Sequence, residues 1–398
     1  MVAMADLKAT EASPPSPRFN LPGVISISIA HFVHDVYSSF LSPLLPLLIE
    51  KLSLSLTQAG LLSTVMQLPA LINPWIGSLA DRISVRWFLV LAPAMTAVPM
   101  SLIGVAPSYA ILLILMAFAG ISISVFHVPA PVVVARISGD RKGLGMSFFM
   151  VGGEAARAVG PMAAVGLVAL MGLEGFYPVM GLSFLCSALL LIATRDLPVT
   201  TAKKAPVPLM QTWRSMRHIL APITGILIAR GFMHGCMSSF LPTFIVMHTG
   251  NLWLAGAGLT IYEIAGVVGV MVAGTLSDRF GRRRLLIFSL LGAPLSLLLF
   301  VWVQGWAAYA LLVLTGFTLL STTPVMLALV QENAAQSPSA ANGLFMMISF
   351  LARSAVVVVV GMAGDLVGLQ TTFVLFALTG FIGLPFVLRL PSDERHKR

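Results

Sequence analysis

Long apolar runs alternate with short polar interruptions along the whole chain. Twelve such runs lie near residues 23–49, 57–80, 86–106, 109–135, 143–170, 175–194, 219–247, 253–277, 285–303, 307–330, 340–364 and 370–389. Each is about 20 residues long or longer, the length an α-helix needs to cross the hydrocarbon core of a bilayer. The strands of a membrane β-barrel would alternate apolar and polar positions, whereas these runs are continuously apolar. The pattern predicts an all-α membrane protein of twelve spans, numbered 1 to 12 in chain order.

The polar interruptions carry a repeat. Gly77-Ser-Leu-Ala-Asp81-Arg82 follows span 2, and Gly274-Thr-Leu-Ser-Asp278-Arg279-Phe-Gly281-Arg282-Arg283-Arg284 follows span 8, with the two aspartates 197 residues apart. His34-Asp-Val-Tyr-Ser38-Ser39-Phe40-Leu41 returns as His234-Gly-Cys-Met-Ser238-Ser239-Phe240-Leu241, offset by 200. Two separate motifs recurring at nearly half the chain length mean a duplicated six-span unit, and such internal symmetry marks transporters. The expected organisation is a cytoplasmic, disordered tail (1–22), a six-helix bundle (23–195), a cytoplasmic linker (196–218), a second six-helix bundle (219–390) and a short tail (391–398). The linker is set apart by Pro198, Pro206 and Pro208 with Lys203, Lys204, Arg214 and Arg217.

Composition agrees: 58% of residues are hydrophobic and 10% charged, against roughly a quarter charged in soluble domains. The net charge of +9 raises nucleic acid as a partner, but its distribution excludes one. Of 24 lysines and arginines, 20 fall in tails and loops on one side of the twelve-span arrangement, three (Arg157, Arg230, Arg353) lie inside spans, and Lys51 alone lies on the other side. Basic loops stay in the cytoplasm, so both termini are expected there, with the chain in a bacterial-type inner (plasma) membrane. Cys186 and Cys236 both fall inside apolar runs and offer no disulfide framework. No removable signal segment is evident before Pro22, and no cofactor is expected.

Ionisable residues at mid-membrane depth are costly and usually face a cavity or a partner. Here they are His31, His34 and Asp35 in span 1, His127 in span 4, Glu154 and Arg157 in span 5, Arg230 and His234 in span 7, Glu263 in span 8 and Arg353 in span 11. Spans 3, 6, 9 and 12 have none. Asp35, flanked by His31 and His34, is the expected proton carrier, with Glu263 the second candidate. Arginine does not deprotonate, and its planar fork suits carboxylate or phosphonate, so Arg230 is the first substrate-binding candidate, joined by His234, His127, Arg157, Glu154 and Arg353. Glu154 and Arg157, three apart on one helical face, can equally pair with each other. His31 and His34 share a face as well, but no third ligand is visible beside them, so no metal is expected. His127, beside Pro129 and Pro131, can instead bond a carbonyl freed by a proline kink.

Twelve spans, the 6+6 duplication and the two G-x-L-x-D-R hairpins resemble the major facilitator superfamily over nearly the whole chain. GTLSDRFGRRR matches the superfamily's cytoplasmic signature, while GSLADRISVR has Ser84 where glycine is preferred. The resemblance implies that spans 1, 4, 7 and 10 line a central cavity, that spans 2, 5, 8 and 11 flank it, and that the rest face lipid. It also implies a gate built from Gly77, Asp81 and Arg82 and from Gly274, Asp278, Arg279, Gly281 and Arg282. A finer resemblance joins His31-Phe-Val-His34-Asp35, Val125-Phe126-His127 and the glycine-rich span 5 (Gly152-Gly153 to Gly160-Pro161) to the fosmidomycin-resistance group of drug exporters. His34 and Val128-Pro129 depart from that group's pattern. The expected function is secondary active export of a small organic solute or drug by proton antiport through alternating access, as a monomer whose partners are that solute, protons and the bilayer. The rival is proton-coupled uptake of an organic anion. A receptor or scaffold is less favoured for want of a soluble domain, and an enzyme for want of any catalytic signature.

The topology is testable with single cysteines in intact cells. One in the Lys203–Lys204 segment should resist a membrane-impermeant thiol reagent, and one at Gln304 should react; labelling of both from outside contradicts twelve spans.

Overall fold

The computed structural model describes residues 19–80, 84–195, 197, 209–334 and 338–391, and among them no strand occurs. Span 1 is α1 (Leu21–Ser38) and α2 (Leu41–Leu52), and span 2 is α3 (Leu56–Gln67) and α4 (Asn73–Ala80). Span 3 is α5 (Arg86–Leu102), span 4 is α6 (Tyr109–His127) with α7 (Ala130–Ile137), span 5 is α8 (Lys142–Met171) and span 6 is α9 (Met180–Ala193). In the second repeat, span 7 is α10 (Leu209–Gly235) and α11 (Leu241–Thr249), followed by α12 (Leu252–Phe280), α13 (Arg282–Trp302), α14 (Trp306–Asn333) and α15 (Pro338–Val367) as spans 8 to 11. Span 12 is α16 (Leu369–Ile382) and α17 (Leu384–Leu388). Ten spans contain helices long and apolar enough to cross a membrane, and spans 2 and 6 contain the shorter apolar stretches Leu56–Ile72 and Tyr177–Ala193. From Leu209 onward, the stretch expected as linker already forms the first turns of α10.

Proline explains where the helices break, because it lacks an N–H and crowds the carbonyl four residues back. Pro43 follows the break between α1 and α2, Pro69 sits in the 3₁₀ turn between α3 and α4, and Pro129 separates α6 from α7. Span 7 widens into a π-turn over Cys236–Phe240, just before Pro242. The duplicated Ser-Ser-Phe-Leu motif thus falls on the break in span 1 and on its counterpart in span 7. The two repeats meet there, where the Ser42 hydroxyl donates to the Ser238 carbonyl at 2.7 Å.

Elsewhere the repeats join along two seams, α3 against α15 and α8 against α12. Glycine permits the first. A Cβ on Gly60 would stand 2.7 Å from the Val357 carbonyl oxygen, and one on Gly361 only 2.3 Å from that of Leu56. Thr64 Oγ1 donates to the Ser354 carbonyl across the seam at 2.7 Å. At its end Asp365 caps α3 from the other repeat, accepting from the Leu56 and Thr57 N–H groups at 2.7 and 2.8 Å and from Thr57 Oγ1 at 2.5 Å. Nearby, Lys51 Nζ meets Glu174 at 2.5 Å and holds that exposed carboxyl below its ordinary pKa. At the opposite end, a Cβ on Gly143, Gly274 or Gly343 would find no atom within 4 Å.

Asp365 therefore ties the two repeats together at this end. Asp365→Ala removes an N-cap worth about 0.5–2 kcal/mol that exists only while this end is shut. Spin labels at Glu50 and Leu366 should show a larger long-distance population in the variant, and an unchanged distance distribution would deny that tie.

Candidate functional site

Three charged constellations line the space between the repeats. The first belongs to the N-terminal repeat. Helical spacing puts His31, His34 and Asp35 on one face of α1, all buried, and α6 ends by delivering His127 to the same point. His31 Nε2 lies 3.2 Å from Asp35 Oδ2 and 3.2 Å from His127 Nε2, which is itself 3.4 Å from Asp35 Oδ1. His34 Nδ1 meets Asp35 Oδ1 at 2.8 Å, and its Nε2 meets Thr96 Oγ1 at 2.9 Å. The outer nitrogens of the triangle are committed: His31 Nδ1 lies 2.8 Å from the Phe149 carbonyl oxygen and His127 Nδ1 3.0 Å from that of Ile123. Phe149 stacks on His31 and Phe126 on His34, with centroids 4.0 and 4.7 Å apart. His127 thus makes both the carbonyl bond and the contact with the site. The sequence reading found no third ligand beside His31 and His34; the fold supplies His127 from α6.

The second constellation bridges the repeats. Arg157 on α8 hydrogen-bonds Glu154 one turn earlier, and its Nε lies 3.7 Å from Glu263 Oε2 on α12. An i, i+3 pair on one helix is thereby extended across the α8–α12 seam. Arg157 keeps 45% of its side-chain surface, so it borders the open space, while Glu263 keeps 12%.

The third lies in the C-terminal repeat, where Arg230, His234, Thr323, Ser349 and Arg353 line one cavity. Arg230 is buried at 5% exposure and donates from one terminal nitrogen to Thr323 Oγ1 at 2.8 Å, while its Nε has no partner. Arg353 lies over the Phe350 ring at 6.0 Å. Neither arginine has an ion-pair partner among the described residues. Tyr262, the neighbour of Glu263, reaches His234 Nδ1 at 3.4 Å. Thr323, Ser349, Tyr262 and Thr96 escaped the sequence reading because neutral polar residues are common in membrane helices and carry no charge to single them out.

In the second gate hairpin, Arg282 pairs with Asp278 at 2.5 Å and with Glu332, at the end of α14, at 2.8 Å, and it also bonds Ser277. Gly281 turns the chain at φ 100°, a conformation that favours glycine. Gly274 faces open space, and Arg279 lies over Phe280 at 5.5 Å. Asp278, Arg282 and Glu332 all belong to the C-terminal repeat; Glu332 carried no motif that could announce it. In the first hairpin, Gly77 falls in α4, while Asp81 and Arg82 lie outside the described residues.

The family model of the Major Facilitator Superfamily matches residues 27–259 and 252–398. The chain belongs to this superfamily. It is 27% identical to the fosmidomycin resistance protein of Escherichia coli (strain K12) over 388 residues, covering 95% of this chain and 94% of that one. It is also 27% identical to the probable nitrate/nitrite transporter NarK2 of Mycobacterium tuberculosis (strain ATCC 25618 / H37Rv), over 65% of this chain and 66% of the relative. Among solved structures, the inward-facing, occupied form of a bacterial homologue of the human lysosomal transporter Spinster superposes with a TM-score of 0.83 at 14% identity, covering 95% and 97% of the two chains. Like other members of the superfamily, the chain is a multi-pass membrane transporter, with the twelve-helix, two-repeat fold and no catalytic activity indicated.

Proposed function

We propose that this superfamily member exports a small organic solute or drug by proton antiport through alternating access. The observation that carries the reading is the pair of arginines, Arg230 and Arg353, facing one cavity without a carboxylate partner. Two cations left unpaired in a membrane interior call for an anionic ligand, so the solute class favoured is one bearing a carboxylate or phosphonate. Export is carried over from the relative named for fosmidomycin resistance. With the basic loops in the cytoplasm, the end carrying Asp365 faces outward.

Coupling requires a group whose interactions differ between the two states. Glu263 meets that condition because its ion-pair partner, Arg157, belongs to the other repeat. When α8 and α12 part, the pair is lost and the carboxylate takes a proton instead. The partners of Asp35 all belong to its own repeat and would travel with it, so Glu263 takes precedence as the carrier. Tyr262 ties Glu263 to the arginine cavity through His234, giving proton and solute sites a short mechanical link. Proton-coupled uptake of an organic anion uses the same arginines and is the second reading.

Transport into proteoliposomes under imposed pH gradients, with a panel of anionic and cationic solutes, tests both. Antiport predicts accumulation driven by a gradient opposed to solute movement, and symport the reverse; solute flux indifferent to pH refutes both. Glu263→Gln should abolish uphill transport yet retain solute exchange, and an uphill flux at wild-type level would exclude Glu263. Arg230→Lys should weaken binding of the transported anion by about 1.5–3 kcal/mol, the scale of a charge-assisted hydrogen bond; unchanged affinity would remove Arg230 from the site.

A further inference from the structure

The triangle of His31, Asp35 and His127 poses a problem of donors. A backbone carbonyl only accepts, so the bonds to Phe149 and Ile123 place a hydrogen on Nδ1 of each ring. In the neutral rings both Nε2 atoms are then bare lone pairs. They face each other at 3.2 Å, and both face a carboxylate. In that tautomer three acceptors converge with no donor among them, and the repulsion is relieved by positive charge, either a second proton on one of the Nε2 atoms or a metal ion at their centre.

The distances indicate which cation. Hydrogen bonds from nitrogen span about 2.7–3.2 Å; the His31–His127 and His31–Asp35 separations of 3.2 Å stand at the long limit of that range, and His127–Asp35 at 3.4 Å stands beyond it. A tetrahedral zinc-type ion with bonds of about 2.0–2.1 Å separates its ligands by about 3.3–3.4 Å. His31 Nε2 and His127 Nε2 are 3.2 Å apart and reach the two oxygens of the Asp35 carboxylate at 3.2 Å (Oδ2) and 3.4 Å (Oδ1), and one ligand atom from each of the three residues lies within 4.8 Å of the others. The surroundings fit as well. Ligating histidines characteristically donate their other ring nitrogen to a carbonyl or carboxylate, as both do here, and His34 Nδ1 at 2.8 Å orients the carboxylate. Phe149, stacked on His31, and Phe126, edge-on to His127, hold the planes of the two ligating imidazoles.

We propose that His31 Nε2, His127 Nε2 and the Asp35 carboxylate form a binding site for one divalent transition-metal ion of the zinc type. His127 keeps 35% of its side-chain surface while His31 keeps 6%, so the open fourth position lies on the cavity side, where water or a solute oxygen completes the shell. All four residues of the cluster belong to the N-terminal repeat, so the site survives the parting of α8 from α12. It does not rest on the transport reading.

The test is equilibrium binding to purified full-length protein in detergent, with its affinity tag removed and stripped by chelator. Co²⁺ serves as the probe because a low-coordinate cobalt site absorbs in the visible. One equivalent should bind, and Zn²⁺ should displace it with loss of the band. His127→Gln and Asp35→Asn should each weaken binding by more than about 100-fold, beyond the 10–100-fold typical of losing an outer-shell partner. His248→Gln, remote from the cluster, should bind as wild type does. Stripped wild-type protein that takes up no Co²⁺, or His127→Gln protein that binds it as tightly as wild type, overturns the assignment.

Discussion

Everything in this molecule depends on the cost of a charge in hydrocarbon. Translocon-based scales put it at about 2.5–3.5 kcal/mol per residue at the bilayer centre, so every ionisable group in a span must be paired, ligated or turned toward water. The three constellations are three answers. Asp35 is ringed by imidazoles, Arg157 by carboxylates from two repeats, and Arg230 and Arg353 by a cavity that a ligand must complete. The first is self-contained, the second depends on how the repeats meet, and the third depends on what the cavity holds. In the proposed mechanism that gradation distinguishes a self-contained cluster, a coupling element and a recognition site within one row of charges.

The same cost explains what could be read in advance. Span number, the duplication and the list of embedded charges all follow from where polar residues interrupt an oily chain, and the structure keeps them. Which charges meet was less legible. Glu154 with Arg157 followed from helical spacing, but Arg157 with Glu263 needed the α8–α12 seam, and His127 with His31 needed the ends of two helices to converge. The metal question turned on this point, since two ligands lie on α1 and the third is 92 residues away from Asp35 in sequence (127 − 35). Asp365 was hidden for another reason. An acid at the end of a span looks like ordinary boundary polarity until the helix it caps is seen to belong to the other repeat.

The twin Ser-Ser-Phe-Leu motifs gained a meaning that sequence alone did not give them. As letters they demonstrated duplication; in space they are two matching places where a cavity-side span abandons regular helix, and they touch through Ser42. A break in one repeat is braced by the matching break in the other, so the irregular backbone that a membrane would otherwise penalise finds its partner inside the protein.

The glycine seam between α3 and α15 bears on electrical insulation. Backbone approaches that would leave a methyl group only 2.3–2.7 Å from a carbonyl oxygen leave no width for a file of water molecules. A transmembrane potential falls steeply across such a thin, dry layer. At about 2.3 kcal/mol per elementary charge per 100 mV, a carboxylate or a bound cation just behind that layer experiences most of the field. Two glycines, Gly60 and Gly361, thereby set how tightly this end of the protein resists the passage of water and ions.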